Sequence, residues 1–121
     1  MPTPSHVEAL IARVEAGKFV EALETFYAPN ASMQENRDAP RVGLPILIEG
    51  ERRFLAANRD MRGRATRPFF VAVDHVVINW VFEFVDPTGR ARHLDELAYQ
   101  RWSGDKIVEE RFYYDPEQLR G

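Results

Sequence analysis

Cysteine is absent from the 121 residues. That excludes disulfides, thiolate metal sites and a cysteine nucleophile, and it is neutral about redox compartment. Histidine is scarce: His6, His75 and His93 stand far apart, with no His-x3-His spacing. No metal site is assigned. No apolar run approaches the ~20 residues that span a bilayer. The opening Met1-Pro2-Thr3-Pro4-Ser5-His6 lacks a basic segment followed by an apolar one, as a signal peptide would have. A soluble, cytoplasmic protein with no membrane partner is the expectation. A basic excess is missing too, since 16 Lys and Arg face 19 Asp and Glu for a net charge of −3. That argues against a nucleic-acid partner.

What is present suits one folded domain over residues 1–121, large enough to bury a core without staples. Ser5 followed by Glu8 reads as a capping box, and Val7, Leu10, Ile11 and Val14 then make one helical stripe. Gly17 closes that helix. A second helix carries Phe19, Leu23, Phe26 and Tyr27 on one face, and Pro29 ends it. A short strand is expected over 31–36, a loop over 37–43, and a third helix from about Leu44 to Asn58. Gly50 inside that helix weakens it by about 1 kcal/mol relative to Ala.

After Gly63 the hydrophobic period changes from 3.6 to 2. Arg67–Val73, Val76–Val85, Arg90–Trp102 and Lys106–Asp115 read as strands separated by short polar turns, which demand antiparallel neighbours. Helices first and an antiparallel meander after make an α+β fold, with the sheet curved around three N-terminal helices. Alternation places Glu96, Ala98, Gln100 and Trp102 on one strand face. In the last strand it groups Val108, Glu110, Phe112 and Tyr114, opposite Ile107, Glu109, Arg111 and Tyr113.

Two carboxyl groups near each other in low dielectric cannot both ionise cheaply, so one of a Glu96–Glu110 pair would keep a proton and serve as donor. The bland alternative pairs them with Arg101 or Arg111, or leaves them on a solvated face. Gln100 and Tyr114 add neutral hydrogen-bonding groups for a ligand carbonyl. Tyr27, Phe54, Trp80, Trp102 and Phe112 could line a ligand cavity or simply fill the core. Arg59, Arg62, Arg64 and Arg67 read as a solvated basic loop between the third helix and the sheet.

Gly-Lys-Phe opening the second helix, Phe-Tyr-Ala-Pro-Asn-Ala before the first strand and Met33-Gln34-Glu35-Asn36 with the later Arg41-Val42-Gly43 carry a resemblance. So does the ending, Glu96-Leu97-Ala98-Tyr99-Gln100-Arg101-Trp102, a glycine turn, and Lys106 through Pro116. Together these residues resemble the nuclear transport factor 2-like superfamily, in its SnoaL-like branch of polyketide cyclases and ketosteroid isomerase-like proteins. The resemblance implies a cone of three helices in a curved sheet enclosing a deep pocket. It implies pairing through the sheet as a homodimer, and acid–base chemistry without cofactor or metal on a small apolar ligand. It places Glu35 where ketosteroid isomerases carry their general base, and turns Glu96, Gln100, Glu110, Phe112 and Tyr114 toward the pocket. Leu10 and Ala98 stand where those isomerases hold the enolate oxygen with a tyrosine and a protonated aspartate, so that activity does not transfer directly. The expected function is an isomerase-, cyclase- or dehydratase-type enzyme with Glu35, Glu96 and Glu110 as its carboxylates. The alternative is a ligand-binding or scaffold domain with no catalysis.

Overall fold

A computed structural model describes residues 1–120. Helix α1 (Pro4–Glu15) and helix α2 (Phe19–Phe26) lead into strand β1 (Tyr27–Glu35), the two-residue β2 (Arg41–Val42) and helix α3 (Leu44–Ala57). Four strands follow, β3 (Arg59–Ala72), β4 (His75–Val85), β5 (Ala91–Ser103) and β6 (Lys106–Tyr113), and a 3-10 turn (Pro116–Leu119) closes the chain. One sheet holds all six strands in the order β2-β1-β6-β5-β4-β3.

Several boundaries differ from the expectations, each for a local reason. Helix α1 starts earlier, because Pro4 supplies a preset first-turn φ and lacks the N–H that would go unpaired there. The capping box is therefore Thr3 with His6: the Thr3 hydroxyl accepts from the His6 N–H at 3.2 Å, and the Thr3 N–H donates to His6 Nδ1 at 3.2 Å. Glu8 instead accepts from Arg67 on β3, at 2.7 and 3.0 Å. The expected end of the second helix at Pro29 and the strand start at Ala31 are both too late. Tyr27 is already extended (φ −109°, ψ 141°), so α2 ends at Phe26, Tyr27 opens β1, and Pro29 lies within that strand.

The sheet is mixed where a purely antiparallel one was expected. β3–β4, β4–β5 and β5–β6 are antiparallel as short turns require, but β6 returns alongside β1 in parallel. Everything between β1 and β6 serves as the long crossover that a parallel pair needs. The basic run is likewise no loop, since Arg59, Arg62, Arg64 and Arg67 all belong to β3 at the sheet edge. Charged side chains on an edge strand discourage further pairing.

The core lies between the helices and one face of the sheet. Val7, Leu10, Ile11 and Val14 of α1, Ala22, Leu23 and Phe26 of α2 and Leu47 of α3 pack on Val76, Ile78, Trp80, Ala98, Trp102 and Ile107. Strand β5 alternates cleanly, with Leu94, Glu96, Ala98, Gln100 and Trp102 buried and the residues between them facing out. β6 does not. Arg101 pairs with Glu109 while Trp102 pairs with Ile107, so Val108 is an extra bulged residue. The bulge reverses the parity, and Ile107 is fully buried on the same face as Glu110. Glu109 faces solvent paired with Arg101.

Candidate functional site

Among the described residues three polar or charged ones are buried: Glu96, Gln100 and Glu110. All three sit on the concave face, and strand register sets their spacing. Gln100 lies opposite Glu110 across β5–β6, and Glu96 lies opposite Trp80 across β4–β5, with Ala98 between Glu96 and Gln100. Ala98 adds only a methyl group between the two carboxyl positions.

Glu110 is fixed from both oxygens. The Tyr27 hydroxyl donates to Oε1 and Gln100 Nε2 donates to Oε2, the latter at 2.7 Å. Gln100 Oε1 in turn accepts from Trp102 Nε1 at 2.9 Å. The chain Trp102–Gln100–Glu110–Tyr27 thus satisfies every polar atom in it, which a buried network requires. Burial pushes the Glu110 carboxyl up to about 7, while the two donors pull the other way. Burial and the neighbouring Glu110 hold the Tyr27 phenol well above its ordinary value, so it stays a neutral donor.

Glu96 is the contrast. It is 7% exposed, and among the described residues no side chain or backbone group bonds its carboxyl. Desolvation first, then the charges of Glu110, Glu35 and Glu51, push it up to about 8. Arg101 and Arg111, the partners that would have made these carboxylates structural, point elsewhere: Arg101 bonds Glu109, and Arg111 Nε donates to the Asn36 carbonyl.

Both carboxyl groups open onto a cavity of about 260 Å³ enclosed by the helices and the sheet. Ligand pockets run from roughly 300 to 1,000 Å³, so this one suits a small molecule. Of the residues the sequence nominated, Glu35, Glu96, Glu110, Tyr27, Phe54, Trp80, Phe112 and Tyr114 border it. Gln100 and Trp102 do not; they lie behind Glu110 and hold it. Glu35 is gripped by Arg41, whose Nη2 donates to its two oxygens at 2.7 and 3.0 Å. Tyr114 is anchored through its backbone N–H to Asn36 Oδ1 at 3.0 Å, and its phenol is raised by desolvation and the nearby Glu35.

Residue-by-residue reading missed Glu51 and Arg41. Glu51 lies on α3, half-buried, with no hydrogen-bond partner among the described residues, and burial raises its carboxyl. The signal was available: Leu47, Glu51 and Phe54 fall at i, i+4 and i+7, which puts a glutamate on the apolar stripe. Arg41 carried no such signal, because its role depends on β2 pairing with β1. The histidines are dispersed as expected: His6 caps α1 and His75 contacts Asp74. Among the described residues no group of His, Asp and Glu is arranged to hold a metal ion, and no helix is long and apolar enough to cross a membrane.

Solved structures share this architecture. A protein of Mesorhizobium loti, provisionally named a SnoaL-like polyketide cyclase, superposes with a TM-score of 0.83 at 21% identity, over 94% of this chain and all of its own. A protein of Catenulispora acidiphila with a ketosteroid isomerase-like fold, solved in complex with trimethylamine, gives 0.78 at 22% identity, over 94% of this chain and 88% of its own. At these identities the likeness establishes the fold. No functionally curated protein matches in sequence. The SnoaL-like domain model matches residues 7–110, from the first core valine of α1 to the buried Glu110. With most of its length inside that match and the same cone around its cavity, the chain belongs to the SnoaL-like domain family.

Proposed function

We propose that the cavity takes a small, largely apolar, carbonyl-bearing molecule and moves a proton on it, with no cofactor taking part. The observation that carries this reading is Glu96: a buried carboxyl with no hydrogen-bond partner among the described residues, opening on an apolar cavity beside a second, fully braced carboxyl. Held up to about 8, Glu96 keeps its proton near neutral pH and donates it to the substrate carbonyl oxygen. Glu110, at about 7, is the more readily ionised member and takes a proton from the carbon beside that carbonyl. Two carboxyl groups whose surroundings separate their acidities divide acid and base roles in this way. The enol so formed is reprotonated elsewhere, cyclises, or expels a leaving group. Isomerase, cyclase and dehydratase chemistries share this first step. Glu35, held by Arg41, serves as a fixed charge on the cavity wall.

The outward sheet face supports self-association through the sheet. It exposes Leu97, Tyr99 and Tyr113 on β5 and β6 and Phe70 on β3, an apolar surface of the kind that pairs two copies.

Deuterium exchange at the carbon beside the carbonyl tests the chemistry. 2-Tetralone in D2O, followed by NMR, is expected to exchange about 100-fold faster with the protein than in buffer. Glu96→Gln and Glu110→Gln should each return the rate to that of buffer while the protein stays folded. If 2-tetralone binds and exchanges no faster than in buffer, the cavity is a binding site without catalysis. Exchange that survives in Glu96→Gln would remove that residue from the mechanism.

A further inference from the structure

Among the described residues the cavity wall carries four carboxyl groups, Glu35, Glu51, Glu96 and Glu110, and one cation, Arg41. Their arrangement settles three of these five groups. Arg41 and Glu35 neutralise each other, and Glu110 is solvated by Tyr27 and Gln100 in place of water. Among the described residues neither Glu51 nor Glu96 has a hydrogen-bond or ion-pair partner, although the Arg41 charge partly offsets the effect of burial on Glu51. They differ in depth: Glu96 is buried on β5, whereas Glu51 is half-buried on α3, one turn before the exposed Phe54 that marks the rim. Between them the wall is aromatic. Trp80 and Phe82 stack at 5.8 Å, and Phe54 meets Phe84 edge-on at 5.2 Å.

An unpaired carboxylate beside aromatic rings suits one ligand chemistry. A protonated amine donates to the carboxylate, and its alkyl substituents rest on ring faces whose quadrupole attracts positive charge. An anion would meet the charges of Glu35, Glu51 and ionised Glu110 with only an already engaged arginine to offset them. A neutral ligand would leave Glu51 facing it unpaired, a recurring penalty for a partly desolvated charge. We infer that the ligand carries a basic amine, whose ammonium group is held at the rim by Glu51 and the neighbouring aromatic rings, with its reacting part reaching toward Glu96. This rests on the cavity being the substrate site, and it adds the charge of the substrate to that reading.

Three probes of similar shape and different charge separate the outcomes: benzyldimethylamine as cation, phenylacetamide as neutral carbonyl compound and phenylacetate as anion, titrated at pH 7 by NMR chemical shift. Benzyldimethylamine should bind about tenfold more tightly than phenylacetamide, and phenylacetate more weakly than either. Glu51→Gln should erase the preference for the cation, weakening benzyldimethylamine and relieving the penalty that the Glu51 charge puts on phenylacetamide. Glu51→Lys should transfer it to phenylacetate. Glu49→Gln, which removes an equal charge from the exposed side of the same helix, should change nothing. That control distinguishes a placed carboxylate from the general acidity of the chain. Phenylacetamide binding as well as benzyldimethylamine, or a cation preference that persists in Glu51→Gln, overturns the inference and leaves the acid–base site standing. If none of the three binds, both readings fall.

Discussion

Glu96 decides what kind of site this is. An ordinary glutamate ionises near 4.5; this one is pushed up to about 8. The folded state therefore binds a proton more tightly than the unfolded chain between those values. Stability from this group is complete below about 4.5 and is lost as pH rises through 8. Glu110, raised to about 7, has the same sign. The protein should lose stability from pH 5 to pH 8.5. In Glu96→Gln, where nothing ionises, the loss should be smaller, leaving the variant more stable than the parent at pH 8.5 by on the order of 2 kcal/mol in urea denaturation. Equal pH dependence in the two proteins would contradict the burial argument. Gln100 works differently, since it lies behind Glu110, off the cavity wall, and braces it. Gln100→Leu strands Trp102 Nε1 and one Glu110 oxygen, and should be destabilised by about 2–4 kcal/mol in the same measurement. The pairing of Glu96 with Gln100 and of Glu110 with Phe112 was legible from strand alternation. The absence of arginine partners was not, because ion pairs depend on which side chains meet across strands and not on their spacing along the chain.

At the scale of elements, the third helix and β3 are the instructive cases. Gly50 does not break α3, and a Cβ there would meet only the end of the Arg41 side chain at 3.4 Å. Gly50→Ala should raise stability by about 0.5–1 kcal/mol, read by thermal and chemical denaturation. Gly63 looks equally innocent in the sequence and is not. A Cβ there would lie 2.6 Å from the Phe82 ring, so Gly63→Ala should destabilise by about 1–3 kcal/mol. That glycine also hid the strand. Met61, Gly63 and Ala65 are the inward positions of β3, alternating with outward Arg62 and Arg64. With no side chain at the middle position the period of two vanished, and the segment read as a basic loop. The helices α1 and α3 and the strands β4 and β5 were legible because stripe and alternation are intact there. The β6 bulge and the parallel β1–β6 pair were not, since a single extra residue and a return across the whole meander leave no local period to find.

For the molecule as a whole, helices and sheet differ in what they leave uncovered. The concave face closes over the cavity, while the outward face keeps Leu97, Tyr99 and Tyr113 in solvent. Sedimentation should show a dimer that Tyr99→Asp converts to monomer, with the fold unchanged by circular dichroism. A parent that sediments as a monomer at high micromolar concentration would end the self-association reading. Composition, with no cysteine and three dispersed histidines, concentrated attention on carboxylates, and the fold then brought Glu96 and Glu110 to one cavity. Their proton affinity is the centre of the matter. Carbon-13 labelling of the glutamate carboxyl carbons, with Glu96→Gln and Glu110→Gln to assign the signals, reads it directly by NMR. One coupled pair should titrate with apparent values of about 7 and 8, well apart from the exposed glutamates. Glutamate signals that all titrate below pH 5 would contradict it.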